Sequence, residues 1–164
     1  SGACIQTFAG HGHSVCSAVF SGDGTSVLTA SGSWDRTAKL WSIETGACGG
    51  ECIQTFTGHD GVVLSAVFSR DGTSVLTASW DRTAKLWSIE AGACIHERGT
   101  KCIQTFTGHD GVVLSAVFSR DGTSVLTTFV GHTDSVNSAV FSGDGASVLT
   151  SSCDQCFLET GHRY

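Results

Sequence analysis

The sequence contains no proline and no methionine, and only 15% of its 164 residues are charged. Without proline, tight turns fall to aspartate and to glycine, of which there are 21. Methionine is missing even at position 1, so the chain reads as processed or as a piece of a longer product. Basic residues are few, with 9 Lys and Arg against 15 Asp and Glu and a formal charge of −6. They are also scattered, which argues against a phosphate-tracking surface and so against a nucleic-acid partner. No apolar run reaches membrane-spanning length, and no charged start leads into an apolar signal core, so no membrane partner is expected. An apolar share of 40% with so few charges is wrong for a disordered chain. The length suits one domain with a sizeable core.

Eight cysteines invite a disulfide reading. Their placement argues otherwise. Cys4, Cys52 and Cys102 each precede Ile-Gln-Thr-Phe, and Cys48 and Cys94 each end Gly-Ala-Cys. Cysteines that recur with a repeat read as strand and turn residues. With no targeting signal, a reducing compartment is expected, cytoplasmic or nuclear.

What the sequence has in abundance is repetition. Residues 102–127 copy residues 52–77 letter for letter, and WDRTAKLWSIE occurs at 34–44 and again at 80–90. Residues 131–150 are a looser copy. A single repeat domain over residues 1–164 is expected, with units at approximately 4–47, 52–93, 102–127 (truncated) and 128–164 (degraded). The truncation shows where Thr127 runs directly into Thr128-Phe129-Val130-Gly131-His132, as if a turn and a strand were deleted.

Short alternating runs parted by Gly and Asp predict antiparallel strands and no helix. In the first unit these are residues 4–8, 15–20, 26–30 and 37–43, and in the second 52–56, 63–68, 75–79 and 83–89. Strict alternation places Val15, Ser17 and Val19 on one face and Cys16, Ala18 and Phe20 on the other.

These units resemble the WD40 repeat family. Gly58-His59, Ser79-Trp80-Asp81 and Lys85-Leu86-Trp87 carry the resemblance in one unit, and Gly10-His11, Ser33-Trp34-Asp35 and Lys39-Leu40-Trp41 in another. The resemblance spans nearly the whole chain. It implies an all-β, WD40-type β-propeller, or an open arc of about four blades, each blade a four-stranded antiparallel sheet. It also implies that His11, Ser33, Asp35 and Trp41 form a structural tetrad, repeated as His59, Ser79, Asp81 and Trp87. The chain departs from the family pattern in two places. Gly22, Arg70, Arg120 and Gly143 stand where a turn proline is usual, and the units end Trp-Ser rather than Trp-Asp.

His, Ser and Asp together could also form a nucleophilic triad. Their recurrence in every intact unit favours a hydrogen-bond network over an active site, so no catalytic residue is expected. Trp34 and Trp80 sit in turns that the family uses for partners, with Arg36 and Arg82 beside them. Asp60, Gly61, Asp110 and Thr133, after each Gly-His or Gly-His-like loop, join them on one partner-binding face. Cys153-x-x-Cys156 with His162 has ligand types that suit zinc, and the pair could equally be redox-active. One such pair is thin for either, and no cofactor is expected.

The expected function is a non-enzymatic scaffold that displays loops to proteins or peptides. One alternative is a metal- or redox-binding protein using the C-terminal cysteines. Another is a non-functional fragment of a longer repeat protein. A homodimer of two arcs is a further expectation, since two chains together reach an ordinary blade number.

Overall fold

The computed structural model describes residues 2–32, 34–43, 50–89, 101–127, 136–142, 147–152 and 156–160. Among them there are strands and turns and no helix. The first sheet runs β1 (Val15–Phe20), β2 (Ser26–Ser31), β3 (Ala38–Ser42) and β4 (Cys52–Phe56), each antiparallel to the next. The second repeats it with β5 (Val63–Phe68), β6 (Ser74–Ser79), β7 (Ala84–Ser88) and β8 (Cys102–Phe106). A two-stranded sheet follows, β9 (Val117–Phe118) with β10 (Val125–Leu126). The last has three strands, β11 (Val136–Phe141), β12 (Ser147–Ser152) and β13 (Cys156–Thr160). The result is a propeller-like arc of antiparallel blades. Sequence units and sheets are out of step, because Cys52–Phe56 opens the second unit but closes the first sheet.

The strand expected over residues 4–8 does not form. Its letters equal those of β4 and β8, so propensity is not the reason. Those strands have a third strand to pair with, whereas Cys4–Phe8 meets no ladder. It still packs as they do. Phe8 lies 5.8 Å from the ring of Trp41, as Phe56 lies 6.0 Å from Trp87. The Gln6 amide donates to the Ser42 carbonyl, as the Gln54 amide donates to that of Ser88.

In the first three blades the first hairpin is closed by side chains in place of proline. Ser21 donates to Asp23 at 2.6 Å, and the backbone N–H groups of Thr25 and Ser26 donate to Asp23 and Ser21. Ser69-Asp71 and Ser119-Asp121 repeat the device. The glycine that follows each Asp takes a left-handed φ of 71–73° at Gly24, Gly72 and Gly122, which L-residues with a side chain enter at a cost.

The alternation expected in the strand after Gly-His is interrupted. A bulge between Val15 and Ser17, repeated between Val63 and Ser65, inserts one unpaired residue. Val15 therefore joins Ala18 and Phe20 on one face, opposite Ser31, Thr29 and Val27. This change of face decides the packing. In the second sheet Val63, Ala66, Phe68 and Val75 share a face and pack against Val19, Leu28, Ala30 and Leu40 of the first. The other face, with Val67, Leu76, Ala78 and Ala84, packs against Val113, Ala116, Phe118 and Val125. Each fully buried Val or Leu contributes roughly 1.5–3 kcal/mol, so these inter-blade layers are the core.

Candidate functional site: a buried relay beneath an exposed tryptophan face

The loop between β4 and β5 carries Gly58-His59. Gly58 has φ 133°, and a Cβ there would meet the Trp87 ring at 3.4 Å. The glycine lets the backbone lie on the indole and turns His59 inward, to 5% exposure. His59 Nδ1 stands 2.7 Å from Asp81 Oδ2, and Nε2 stands 2.7 Å from Thr77 Oγ1. The Trp87 indole N–H donates to the same Thr77 oxygen at 2.8 Å. One assignment satisfies every atom: Trp87 donates to Thr77, Thr77 donates to His59, and His59 Nδ1–H donates to the Asp81 carboxylate. Asp81 also accepts from the Asp60 N–H at 2.9 Å and from the Thr83 N–H and O–H. The relay thus ties the inter-blade loop, the turn after β6 and the strand β7 into one unit.

The hydroxyl in the relay is that of Thr77, not Ser79. Both lie on one face of β6. The register Val75↔Trp87 places Thr77 within diagonal reach of the indole, and Ser79 sits farther along the strand, where its Oγ accepts the Asp81 N–H at 3.1 Å. In the first unit the same relay joins Trp41, Thr29, His11 and Asp35 at 2.7 Å each. The register position of Ser79 is held there by Ser31, opposite Val15; Ser33 lies outside the described residues. The third unit keeps His109 and Thr127, 2.9 Å apart. Thr–His–Asp is also the order of a catalytic triad, but Thr77 is 1% exposed and already engaged by Trp87. No substrate atom can approach it in this arrangement.

Burial pushes the His59 pKa below its ordinary 6.5, although Asp81 opposes the shift. Burial would raise the Asp81 carboxyl, but hydrogen bonds from Thr83 and His59 outweigh it and hold the value below 3.8. A histidine with a depressed folded pKa contributes stability that is complete above the unfolded value and is lost as pH falls through the folded one. The urea midpoint is therefore expected to be flat above about pH 7 and to fall once pH drops below about 6.5. Below about pH 4 the loss deepens as Asp81 is protonated. His59→Gln should flatten the first slope. A midpoint that rises on acidification through that window would contradict the assignment.

Above the relay lies a face of turns. Trp34 is 80% exposed and Trp80 57% exposed. Asp60 and Asp110 are exposed on the adjoining loops, and Arg36 reaches across to donate to the Asp60 carbonyl at 3.3 Å. Gly61 is placed differently from its expected neighbours. A Cβ there would come within 2.7 Å of the Asp81 nitrogen, so Gly61 packs under the turn. Thr133 lies outside the described residues. Arg36 and Arg82 hold left-handed φ values of 53° and 66°, a conformation that costs a non-glycine residue about 1 kcal/mol or more. Arg82→Gly is therefore expected to raise unfolding stability by about 0.5–1 kcal/mol in urea titration. A clear loss instead would show that the guanidinium makes a stabilising contact.

Of the C-terminal cysteine motif, Cys156 opens β13, and Cys153 and His162 lie outside the described residues. Among the described residues no three His, Cys, Asp or Glu side chains are grouped to hold a metal. No helix among them is long and apolar enough to cross a membrane.

Antiparallel blades stacked through alternating faces, each intact one locked by a His–Asp relay, define a propeller-type repeat protein. The family model of the WD domain, G-beta repeat, matches residues 2–42, 50–88, 100–128 and 123–157, and the chain belongs to this WD40 family. A search of curated proteins finds no match.

Proposed function

We propose that the chain is a non-enzymatic interaction scaffold whose binding face is centred on Trp34 and Trp80. WD40 repeats in general serve protein interaction. The observation that carries the reading is the division of the four tryptophans. Trp41 and Trp87 are 1% exposed, while Trp34 and Trp80, seven residues earlier in each unit, stand in solvent. Large exposed aromatics are costly to leave in water and are frequent anchors of interfaces. Arg36, Arg82, Asp60 and Asp110 rim them with both signs of charge. The relay beneath fixes these loops before a partner arrives, which lowers the ordering cost of binding. Proteins or peptides of the cytoplasm or nucleus are the proposed partners.

Capture from a cell extract on immobilised protein tests this, with a Trp34→Ala/Trp80→Ala double variant as comparison. Each substitution is expected to weaken a partner by about 1 kcal/mol or more while the melting temperature stays unchanged. Partners retained at full strength by the double variant would overturn the face assignment. A fall in melting temperature that matches the loss of binding would place the two rings in the packing instead.

A further inference from the structure

The first three blades meet by one rule. The face with Val19, Leu28 and Leu40 packs on the next blade's Val63, Ala66 and Phe68, and the pattern recurs between the second blade and residues 113–125. Among the described residues two blade faces stand exposed, and they are of opposite kinds. In the first blade, Val15, Ala18 and Phe20 hold the positions of Val63, Ala66 and Phe68, yet all three are exposed, Phe20 by 72%. In the last, Val140 and Leu149 hold the positions of Val19 and Leu28 and are 48% and 46% exposed. The opposite face of that sheet is covered, with Ala139 and Thr150 each 2% exposed. The sheet edges divide in the same way. The β11-β12-β13 sheet has no fourth strand among the described residues. Cys4–Phe8 has the letters of a fourth strand and no ladder, and Ile5 is 96% exposed.

The geometry points to a second copy of this chain as the occupant of both. The first blade of one copy packs on the last blade of the other, and Cys4–Phe8 becomes the fourth strand beside β13. An unpaired edge and an unpaired strand of matching sequence complete each other by strand addition. Made twice about a twofold axis, the contact closes a ring of about eight blades, the upper end of the usual range. The register follows from the intact blades. Val27 pairs Trp41 and Trp41 pairs Cys52, while in the last sheet Val148 pairs Glu159. Cys4 of one copy therefore falls opposite Glu159 of the second. The contact uses neither Trp34 nor Trp80, so it stands or falls apart from the partner face.

Glu159→Cys under mild oxidation, run on a non-reducing gel, tests the register. A covalent species of twice the 17.0 kDa chain is expected, lost when Cys4→Ser is added. Light scattering of the unmodified protein should give a dimer mass, and Phe20→Asp should turn it monomeric with an unchanged circular dichroism spectrum. A monomer with no crosslink would overturn the proposal, as would a bond formed within one chain. A ladder of higher multiples would overturn the closed ring.

Discussion

Trp87→Ala is expected to lower unfolding stability by about 3–5 kcal/mol, the cost of truncating a large buried aromatic. The ring is 1% exposed, lies 6.0 Å from Phe56 and 6.0 Å from His59, and has Gly58 laid across it. Removing it opens a cavity that the backbone at Gly58 cannot collapse into without moving His59. It also strips Thr77 of its indole donor. Since domains of this kind have only about 5–15 kcal/mol in total, the second blade should melt at much lower temperature or fail to fold. Urea unfolding followed by circular dichroism measures the loss. A cost under about 1 kcal/mol, the range expected of an exposed side chain, would mean that the ring is not a core element.

The second large effect is expected at Thr77. Thr77→Val keeps the shape of the side chain and removes its hydroxyl. The Trp87 N–H then has no acceptor and His59 Nε2 no donor, both in a buried site. Each unsatisfied buried group costs about 1–3 kcal/mol, so about 2–6 kcal/mol is expected in all. Ser79→Ala removes the acceptor of a single backbone N–H, with a loss near 1 kcal/mol. The order of the two variants discriminates between hydroxyls. If Ser79→Ala proved the more damaging in urea titration, the relay would run through the serine.

The choice of serine over threonine shows what could be read from letters and what could not. Alternation puts Thr77 and Ser79 on the same face, and either hydroxyl suits the chemistry. Only the pairing of β6 with β7 sets which one the indole reaches, and register is a tertiary quantity. The bulge at Val15 and Ser17 was hidden for the same reason, since alternating letters do not announce an unpaired residue. The repeats and the hairpin turns were legible because the units restate them, and the His–Asp–Trp positions because both intact units carry them. Residues 113–118 teach the converse. They share every letter with β5, yet strand forms only over Val117–Phe118. The same residues make five paired positions where a full neighbour strand exists and two where it does not. Strand propensity expresses itself only against a partner.

Trp41 and Trp87 belong to the core, and Trp34 and Trp80 to the surface. Acrylamide quenching of the intrinsic fluorescence separates the two pairs. Two populations are expected in the unmodified protein, one readily quenched and one protected. The Trp34→Phe/Trp80→Phe variant should keep only the protected, blue-shifted emission. If the variant's remaining emission is quenched as easily as that of the unfolded chain, Trp41 and Trp87 are not buried, and the relay-and-face division fails with them.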